Sequence, residues 1–229
     1  MVANSRILLL GQTGAGKSTF INAAAEKEVA TVGHSLQSCT SETSAVTLTH
    51  PNKPGCEVIL IDTPGFDDSW AEDKEILARI VGWLKKTNIA PTGIIYLHEI
   101  SQSRNNADGQ TDAMNPVKLS NHVIAGRIVL ATTKWKTLRD QTVGDRRQEE
   151  LASQWQGMLD HGSKAVRFAD SHQSAWDIID CLSNNVPNDA IQAELDRILG
   201  NIATKAPSNV RVGFLSHIFG KFRGKSSGL

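Results

Sequence analysis

The stretch Gly11-Gln12-Thr13-Gly14-Ala15-Gly16-Lys17-Ser18 matches the phosphate-binding pattern G-x-x-x-x-G-K-[ST] at every fixed position. It follows the apolar run Arg6–Leu10 and precedes the helical run Ser18–Ala25, as the pattern requires. Glycines let backbone N–H groups turn towards phosphate oxygens, and the helix N-terminus adds partial positive charge. We therefore expect Lys17 to reach the terminal phosphates and Ser18 to give its hydroxyl to Mg²⁺, in a pocket that also includes Thr19.

Further apolar runs bounded by turn residues predict strands that are buried on both faces. After Arg6–Leu10 they are Val58–Ile61, Gly93–Leu97, Arg127–Ala131 and Ala165–Phe168. Helical patterns lie between most of them, notably at Ala71–Lys85 and Arg146–Leu159. This alternation predicts an α/β fold of three layers with a mostly parallel central sheet. The weaker alternation of Ala45–Thr49 predicts an edge strand that pairs antiparallel with Val58–Ile61.

Composition limits the classes of protein to consider. The chain has 229 residues, enough for one full α/β domain, and its 24 basic residues balance its 24 acidic residues. Charge therefore gives no indication of nucleic acid, and we expect none as a partner. The three cysteines Cys39, Cys56 and Cys181 form no Cys-x-x-Cys pair, which argues against a disulfide framework or a structural zinc site. We expect a cytoplasmic protein.

The chain changes character after Pro187, so we expect one domain over residues 1–186 and a C-terminal helix and basic-apolar tail over 187–229. The helix is predicted at Ala190–Ala203. The tail interleaves Phe214, Leu215, Ile218, Phe219 and Phe222 with Lys221, Arg223 and Lys225. Such a segment could lie on a membrane surface and make the protein membrane-peripheral, or it could pack against the domain.

A second motif, Asp62-Thr63-Pro64-Gly65, follows the apolar strand Val58–Ile61. An acid at the end of this strand would lie beside the phosphates, where Asp62 would hold Mg²⁺ through water. The Gly65 N–H could meet a γ-phosphate that is present before hydrolysis and absent afterwards. Alone, the motif could be an ordinary turn; together with the phosphate loop it predicts a switch.

The polar stretch Val32–Thr43 has no periodicity, as expected for a mobile first switch. Thr40 is the residue that we expect to bind both Mg²⁺ and the γ-phosphate. A plain surface loop is the alternative, because serine and threonine are common in loops.

These motifs carry a resemblance to a known family. The phosphate loop, the segment Asp62–Asp68 and the strand Ile94–His98 are similar to the immunity-associated and avirulence-induced-gene GTPases of the septin-like branch, especially their fungal relatives. The segment His34–Thr40 also resembles the first switch of that fungal group. The similarity continues through Thr132-Thr133-Lys134-Trp135, Trp155–Leu159 and Ser174–Ile179, and does not cover the tail.

The resemblance implies a Ras-like P-loop GTPase fold, with residues 1–186 as the G domain. It also implies Mg²⁺-dependent binding of GTP and GDP, GTP hydrolysis, and a nucleotide-dependent homodimer formed through the switch surface. The base-binding residues that it implies are Thr133, Lys134 and Trp135 on one loop, and Ala169, Asp170 and Ser171 on another.

One departure from the family pattern concerns the base. The family has a base-reading box that aligns with Thr133-Lys134-Trp135-Lys136 here. In the family this box ends in an aspartate that accepts two hydrogen bonds from guanine, and Lys136 stands in its place. Lysine has no acceptor. We therefore expect weaker discrimination between GTP and ATP, with backbone groups near Asp170 reading the guanine oxygen. An ATP-using or base-indifferent hydrolase is an alternative at this stage.

Other departures concern catalysis. Phe66 stands where Ras-type enzymes have a water-orienting glutamine, and Glu99 stands where fungal relatives usually carry arginine. We expect slow hydrolysis by the monomer, with Arg104 and His98 as candidate catalytic residues. A solvated arginine and a structural histidine are the alternatives, as is a nucleotide-gated scaffold with negligible hydrolysis.

Overall fold

A computed structural model describes residues 5–30, 32, 42–66, 70–101, 124–182 and 190–204 of the chain. Its centre is a sheet of six strands. In chain order the strands are β1 (Ser5–Gly11), β2 (Ser44–Thr49), β3 (Glu57–Asp62), β4 (Gly93–Glu99), β5 (Ile128–Thr133) and β6 (Lys164–Arg167). All the strands that were predicted from apolar runs are present, with ends that differ by up to two residues.

The strands lie in the order β2-β3-β1-β4-β5-β6, and every neighbouring pair is parallel except β2 with β3. The predicted edge hairpin is therefore confirmed, with Val46 opposite Leu60. Strand β5 begins one residue later than expected, because Arg127 ends a short 3-10 turn and its guanidinium donates to the Thr92 carbonyl at 2.7 Å.

Helices connect the strands as crossover units. They are α1 (Lys17–Ala25), α2 (Trp70–Thr87), α3 (Gln141–Gln154), α4 (Gln156–Leu159), α5 (His172–Asp180) and α6 (Ala190–Thr204). The single helix expected at Arg146–Leu159 is wrong in two respects. Helix α3 starts earlier, because the Asp140 side chain accepts a hydrogen bond from the Thr142 N–H at 2.9 Å and caps the helix N-terminus. The helix also ends at Gln154, and Trp155 separates it from the short α4.

The helices cover both faces of the sheet, which confirms the three-layer α/β/α architecture. On one face, α2, α4 and α6 bury Leu77, Met158 and Leu195 in one apolar cluster. On the other, α1 and α5 bury Phe20 and Trp176 in a second cluster. Successive strand residues contribute to opposite faces, so the central strands β1, β4 and β5 are buried along most of their length.

Helix α6 belongs to the first cluster, since Ile191, Leu195 and Ile198 are buried there. The Lys85 ammonium also meets the Asp196 carboxylate across α2 and α6 at 2.9 Å. This helix therefore packs on the core of the domain; the division of the chain at residue 186 stays a prediction, and the tail from residue 205 lies outside the described residues. No helix in the described ranges is both long enough and apolar enough to cross a membrane.

Candidate nucleotide-binding site

The carboxyl ends of the five parallel strands meet at one edge of the sheet, where open α/β sheets bind their ligands. The loops that leave β1, β3, β4, β5 and β6 carry the motifs singled out in the sequence. The fold thus brings together residues that are separated by more than a hundred positions in the chain.

The phosphate loop has the conformation that its glycines permit. Gly14 and Gly16 adopt φ angles of 80° and 93°, and α1 begins directly afterwards at Lys17. The Lys17 ammonium donates to the Gly11 and Gln12 carbonyls, both at 3.0 Å. A side chain on Gly11 would place its Cβ 2.2 Å from the Leu97 carbonyl oxygen, so the close approach of β4 requires glycine there.

Two of the predicted metal ligands are in direct contact. The Ser18 hydroxyl donates to the Asp62 carboxylate at 2.9 Å, and the Asp62 residue is only 2% exposed. The next residue fixes the end of β3, because the Thr63 hydroxyl donates to the Leu9 carbonyl at 2.6 Å. The Ser18 hydroxyl and the Asp62 carboxylate supply oxygen ligands of the kind that Mg²⁺ prefers, so this pair fits the ion.

The turn after Asp62 is joined to the phosphate loop by its backbone. The Thr13 N–H donates to the Phe66 carbonyl at 3.0 Å, and the Phe66 N–H donates to the Gly11 carbonyl at 3.2 Å. A Cβ on Gly65 would lie 2.4 Å from the Thr13 backbone, so only glycine fits. The Phe66 ring is buried in the core at 3% exposure, and it therefore anchors the turn without offering a polar group to the site.

The base-reading box is tied to the phosphate loop through Thr133. Its hydroxyl donates to the Ala15 carbonyl at 2.8 Å and is buried. Lys134 follows in the left-handed conformation at φ 58°, and its ammonium lies 3.9 Å from where a Cβ on Gly14 would stand. The lysine side chain therefore reaches over the phosphate loop, as a side chain that covers the base would do.

Glu99 holds this lysine in place. The Lys134 ammonium and a Glu99 carboxylate oxygen are 2.7 Å apart, and the Glu99 side chain is 14% exposed. The Ser101 hydroxyl also donates to Glu99. Sequence reasoning identified Glu99 only as a missing arginine. The signal that could have revealed its role is the register of β4 and β5, which sets Glu99 opposite Thr133.

The Trp135 side chain packs against residues outside the base-reading box. Its indole N–H donates to the Thr132 hydroxyl at 3.0 Å, and the Arg167 guanidinium lies 3.8 Å from the ring centroid. A Cβ on Gly144 would come within 2.6 Å of the ring, so the indole packs closely on α3. A contact between Trp135 and a nucleotide would therefore come from its backbone, and that contact stays a prediction.

The loop after β6 lies beside the box. Ser171 and Ser174 form a capping box at the start of α5, and the Ala169 N–H also donates to the Ser174 hydroxyl, at 3.2 Å. Asp170, which lies between Ala169 and Ser171, adopts the left-handed conformation at φ 50°. One of its carboxylate oxygens lies 3.9 Å from the Lys136 ammonium.

Of the two proposed catalytic residues, the structure describes only His98. His98 lies at the end of β4, with its ring centroid 6.0 Å from that of Trp155 in an edge contact. Burial lowers the pKa of His98, while the nearby Glu99 carboxylate acts in the opposite direction. The histidine is therefore held neutral near pH 7, and its catalytic role stays a prediction. Thr40 and Arg104 lie outside the described residues.

Together, the phosphate loop, the acid at the end of β3 and the box after β5 define a P-loop GTPase. Residues 6–139 match the family model described as 50S ribosome-binding GTPase, and the chain belongs to this family.

Curated relatives agree over a shorter stretch. The chain is 33% identical over 73 residues to GTPase Era of Campylobacter jejuni subsp. doylei, and equally to GTPase Era of C. jejuni subsp. jejuni. The match covers 32% of this chain and only 24% of each relative. The chain thus spans about a quarter of the length of these relatives.

Solved structures with the same fold include two of Toc33 from Arabidopsis thaliana. A dimerization-deficient mutant aligns with a TM-score of 0.55 at 17% identity, covering 90% of this chain and 86% of that one. The complex with Mg²⁺ and GMPPNP aligns at 0.54 and 19%, covering 88% and 85%. Era bound to MgGDPNP and a segment of 16S ribosomal RNA aligns at 0.53 and 14%, covering 93% and 60%. These alignments confirm the Ras-like fold.

Proposed function

We propose that this chain is a GTP-binding switch of the septin-like branch that hydrolyses GTP slowly as a monomer and self-associates in its GTP-bound state. The observation that carries the proposal is the contact between Ser18 and Asp62 at the mouth of a complete phosphate loop. It joins the two side chains that a magnesium nucleotide needs at the place where the helix N-terminus favours an anion.

In this proposal residues 11–19 surround the phosphates, and Lys17 exchanges its bonds to the loop carbonyls for phosphate oxygens. Ser18 and Thr40 hold Mg²⁺ directly, and Asp62 holds it through water. The ion would offset the charge of the β- and γ-phosphates. The Toc33 complex with Mg²⁺ and GMPPNP and the Era complex with MgGDPNP have the same fold, and they support Mg²⁺ as the cofactor.

The switch mechanism rests on the turn at Gly65. Because the Thr13 N–H bonds to the Phe66 carbonyl, a change in the phosphate loop passes directly to the turn that leads into α2. Arrival of a γ-phosphate would offer the Gly65 N–H an acceptor and alter this turn. Loss of the phosphate would reverse the change.

Slow hydrolysis follows from Phe66, whose buried ring cannot orient a water molecule. A second subunit would supply the missing group, with Arg104 and His98 as the candidates. For the chloroplast translocon components atToc33 and psToc159, one structural study states that dimerization is important for GTPase activity. That statement concerns those proteins, and it supports testing the same arrangement here.

We place the switch in the cytoplasm, with the basic-apolar tail as the segment that would bring it to a membrane surface. Nucleic acid is not part of the proposal, because basic and acidic residues balance over the chain. The RNA in the Era complex makes this a point for experiment, and a filter-binding assay with structured RNA should detect no specific complex.

Phosphate release at saturating Mg²⁺·GTP, measured over a hundredfold range of protein concentration, tests the proposal. We expect a rate per subunit that is low when dilute, rises with concentration and falls in Arg104→Ala. Lys17→Ala provides the control with weakened nucleotide binding. A fast rate that is independent of concentration and insensitive to changes at Arg104 and His98 would show that the catalyst lies within the monomer.

A further inference from the structure

The base-reading box has a cation where its family pattern has an acid, and the structure sets another acid against that cation. The Lys136 ammonium and the Asp170 carboxylate are 3.9 Å apart, although the residues belong to different loops. The Asp170 side chain is 26% exposed and that of Lys136 is 72% exposed. The carboxylate is therefore partly shielded from solvent, whereas the ammonium is exposed.

A carboxylate matches the hydrogen-bonding edge of guanine. Its edge presents an N–H and an exocyclic amino group, which are two donors, whereas adenine presents an acceptor nitrogen in place of the N–H. An ionised carboxylate only accepts hydrogen bonds, so it pairs with guanine and repels the adenine edge. Sites that bind polar groups through buried partners discriminate strongly, because the wrong ligand leaves those partners unpaired.

We propose that Asp170 is the residue that reads the guanine edge, in the role that the family pattern assigns to the position of Lys136. The acceptor has thus moved from the loop after β5 to the loop after β6. This inference rests on the proposed GTP-binding function and names its specificity-determining residue. It predicts stronger base discrimination than Lys136 alone would.

The surrounding contacts place Asp170 for this role. The capping box of Ser171 and Ser174 fixes the loop on one side, and the Lys134 side chain reaches over Gly14 on the other. The Thr133 hydroxyl joins the loop after β5 to the phosphate loop, since it donates to the Ala15 carbonyl. We infer that a base attached to a phosphate held at residues 11–18 would extend towards these two loops and Asp170.

Lys136 has a supporting part. At 3.9 Å it is within ion-pair range but beyond a direct hydrogen bond, so the acceptor positions of the carboxylate stay available to a ligand. Within the described ranges, Lys136 is the one cationic side chain in an ion pair with Asp170.

Asp170→Asn tests the assignment, because an amide reverses one of the two hydrogen bonds. Its NH₂ group would repel the guanine amino group and would donate to the second oxygen of xanthine. We expect calorimetry on the full chain to show Mg²⁺·GDP binding that is weakened at least about tenfold, and Mg²⁺·XDP binding that is strengthened by a similar factor. The wild type should prefer GDP over ADP by more than about a hundredfold.

The matched control is Asp177→Asn, which removes an exposed carboxylate on α5 that accepts a hydrogen bond from Gln173. It should leave all three affinities unchanged. Circular dichroism would verify that both variants fold like the wild type.

The outcomes separate the two proposals. A wild type that binds none of the nucleotides contradicts the proposed function itself. A wild type that binds GDP tightly, with an Asp170→Asn variant that keeps the same preference and gains no XDP affinity, overturns the assignment of Asp170 and leaves GTP binding standing.

Discussion

The phosphate half and the base half of the candidate site are built in different ways. In the phosphate half, Lys17 bonds to carbonyls that are five and six residues away, within one loop. In the base half, Thr133 bonds to Ala15 at a separation of 118 residues, and Lys134 bonds to Glu99 at a separation of 35. The phosphate loop itself is therefore encoded in consecutive residues, whereas base reading depends on the completed sheet.

The difference has a consequence for substitutions. A consecutive motif keeps its chemistry wherever the strand and helix form, so a change there should affect all nucleotides alike. Contacts between separate loops can be exchanged for others, and the base half has two such contacts, between Glu99 and Lys134 and between Lys136 and Asp170. Changes in the base half should alter the choice of base or the position of Lys134, while phosphate binding persists.

The largest effect is expected for Lys17→Ala. A charged hydrogen bond contributes roughly 1.5–3 kcal/mol, so the loss should weaken binding of a fluorescent GTP analogue about tenfold to hundredfold. GDP and ADP should be affected by the same factor. Lys27→Ala, at an exposed position just after α1, is the matched control and should bind like the wild type. An unchanged dissociation constant for Lys17→Ala would contradict the phosphate assignment.

Thr133→Val should have the next largest effect, because it breaks the bond between the two halves. Leaving the buried Ala15 carbonyl without this donor should lower the free energy of unfolding by about 1–3 kcal/mol. Chemical denaturation measures this change, and nucleotide affinity should fall as well. Thr47→Val on the exposed edge strand β2 is the control. Equal stability of the two variants would show that the link carries no energy.

Glu99→Gln should have a smaller effect, restricted to the base half. The Lys134 ammonium loses its ionic partner, and a partly exposed pair contributes about 0–1 kcal/mol, which corresponds to a few-fold weaker GDP binding. Affinity for inorganic pyrophosphate, which has no base, should not change. A parallel loss for both ligands would place Glu99 in the phosphate half instead.

The smallest effect concerns the titration of His98. Burial lowers its pKa, and the charge of Glu99 counteracts part of that shift. Removing the charge in Glu99→Gln should therefore lower the pKa of His98 further and keep the ring neutral to a lower pH. NMR titration of the ring protons measures this directly. A pKa that rises in the variant would contradict the proximity of the two groups.

The same comparison explains how far sequence reasoning could reach. Apolar runs and the phosphate loop predicted the strands, their parallel arrangement and the edge hairpin, because each depends on neighbouring residues. The start of α3 was missed because Asp140 begins a helix whose first turns are mostly polar, although an aspartate followed by Thr142 is itself a capping signal.

The contacts of the base half could not be predicted in this way. The pairing of Glu99 with Lys134 depends on β4 lying beside β5, and that of Lys136 with Asp170 depends on β5 lying beside β6. Sheet order is a property of the whole fold, and no single stretch of the chain contains it. Read alone, Glu99 and Lys136 are departures from a pattern; in the structure each has a partner of opposite charge.

The nucleotide that the purified chain retains tests the central claim most directly. Denaturing the freshly purified protein and separating the released nucleotides by chromatography should yield GDP or GTP and no adenine nucleotide. If the nucleotide is lost during purification, titration with Mg²⁺·GDP and Mg²⁺·ADP should show tight binding of GDP alone. Retention of ADP or ATP, or the absence of any heat with Mg²⁺·GDP, would contradict the account.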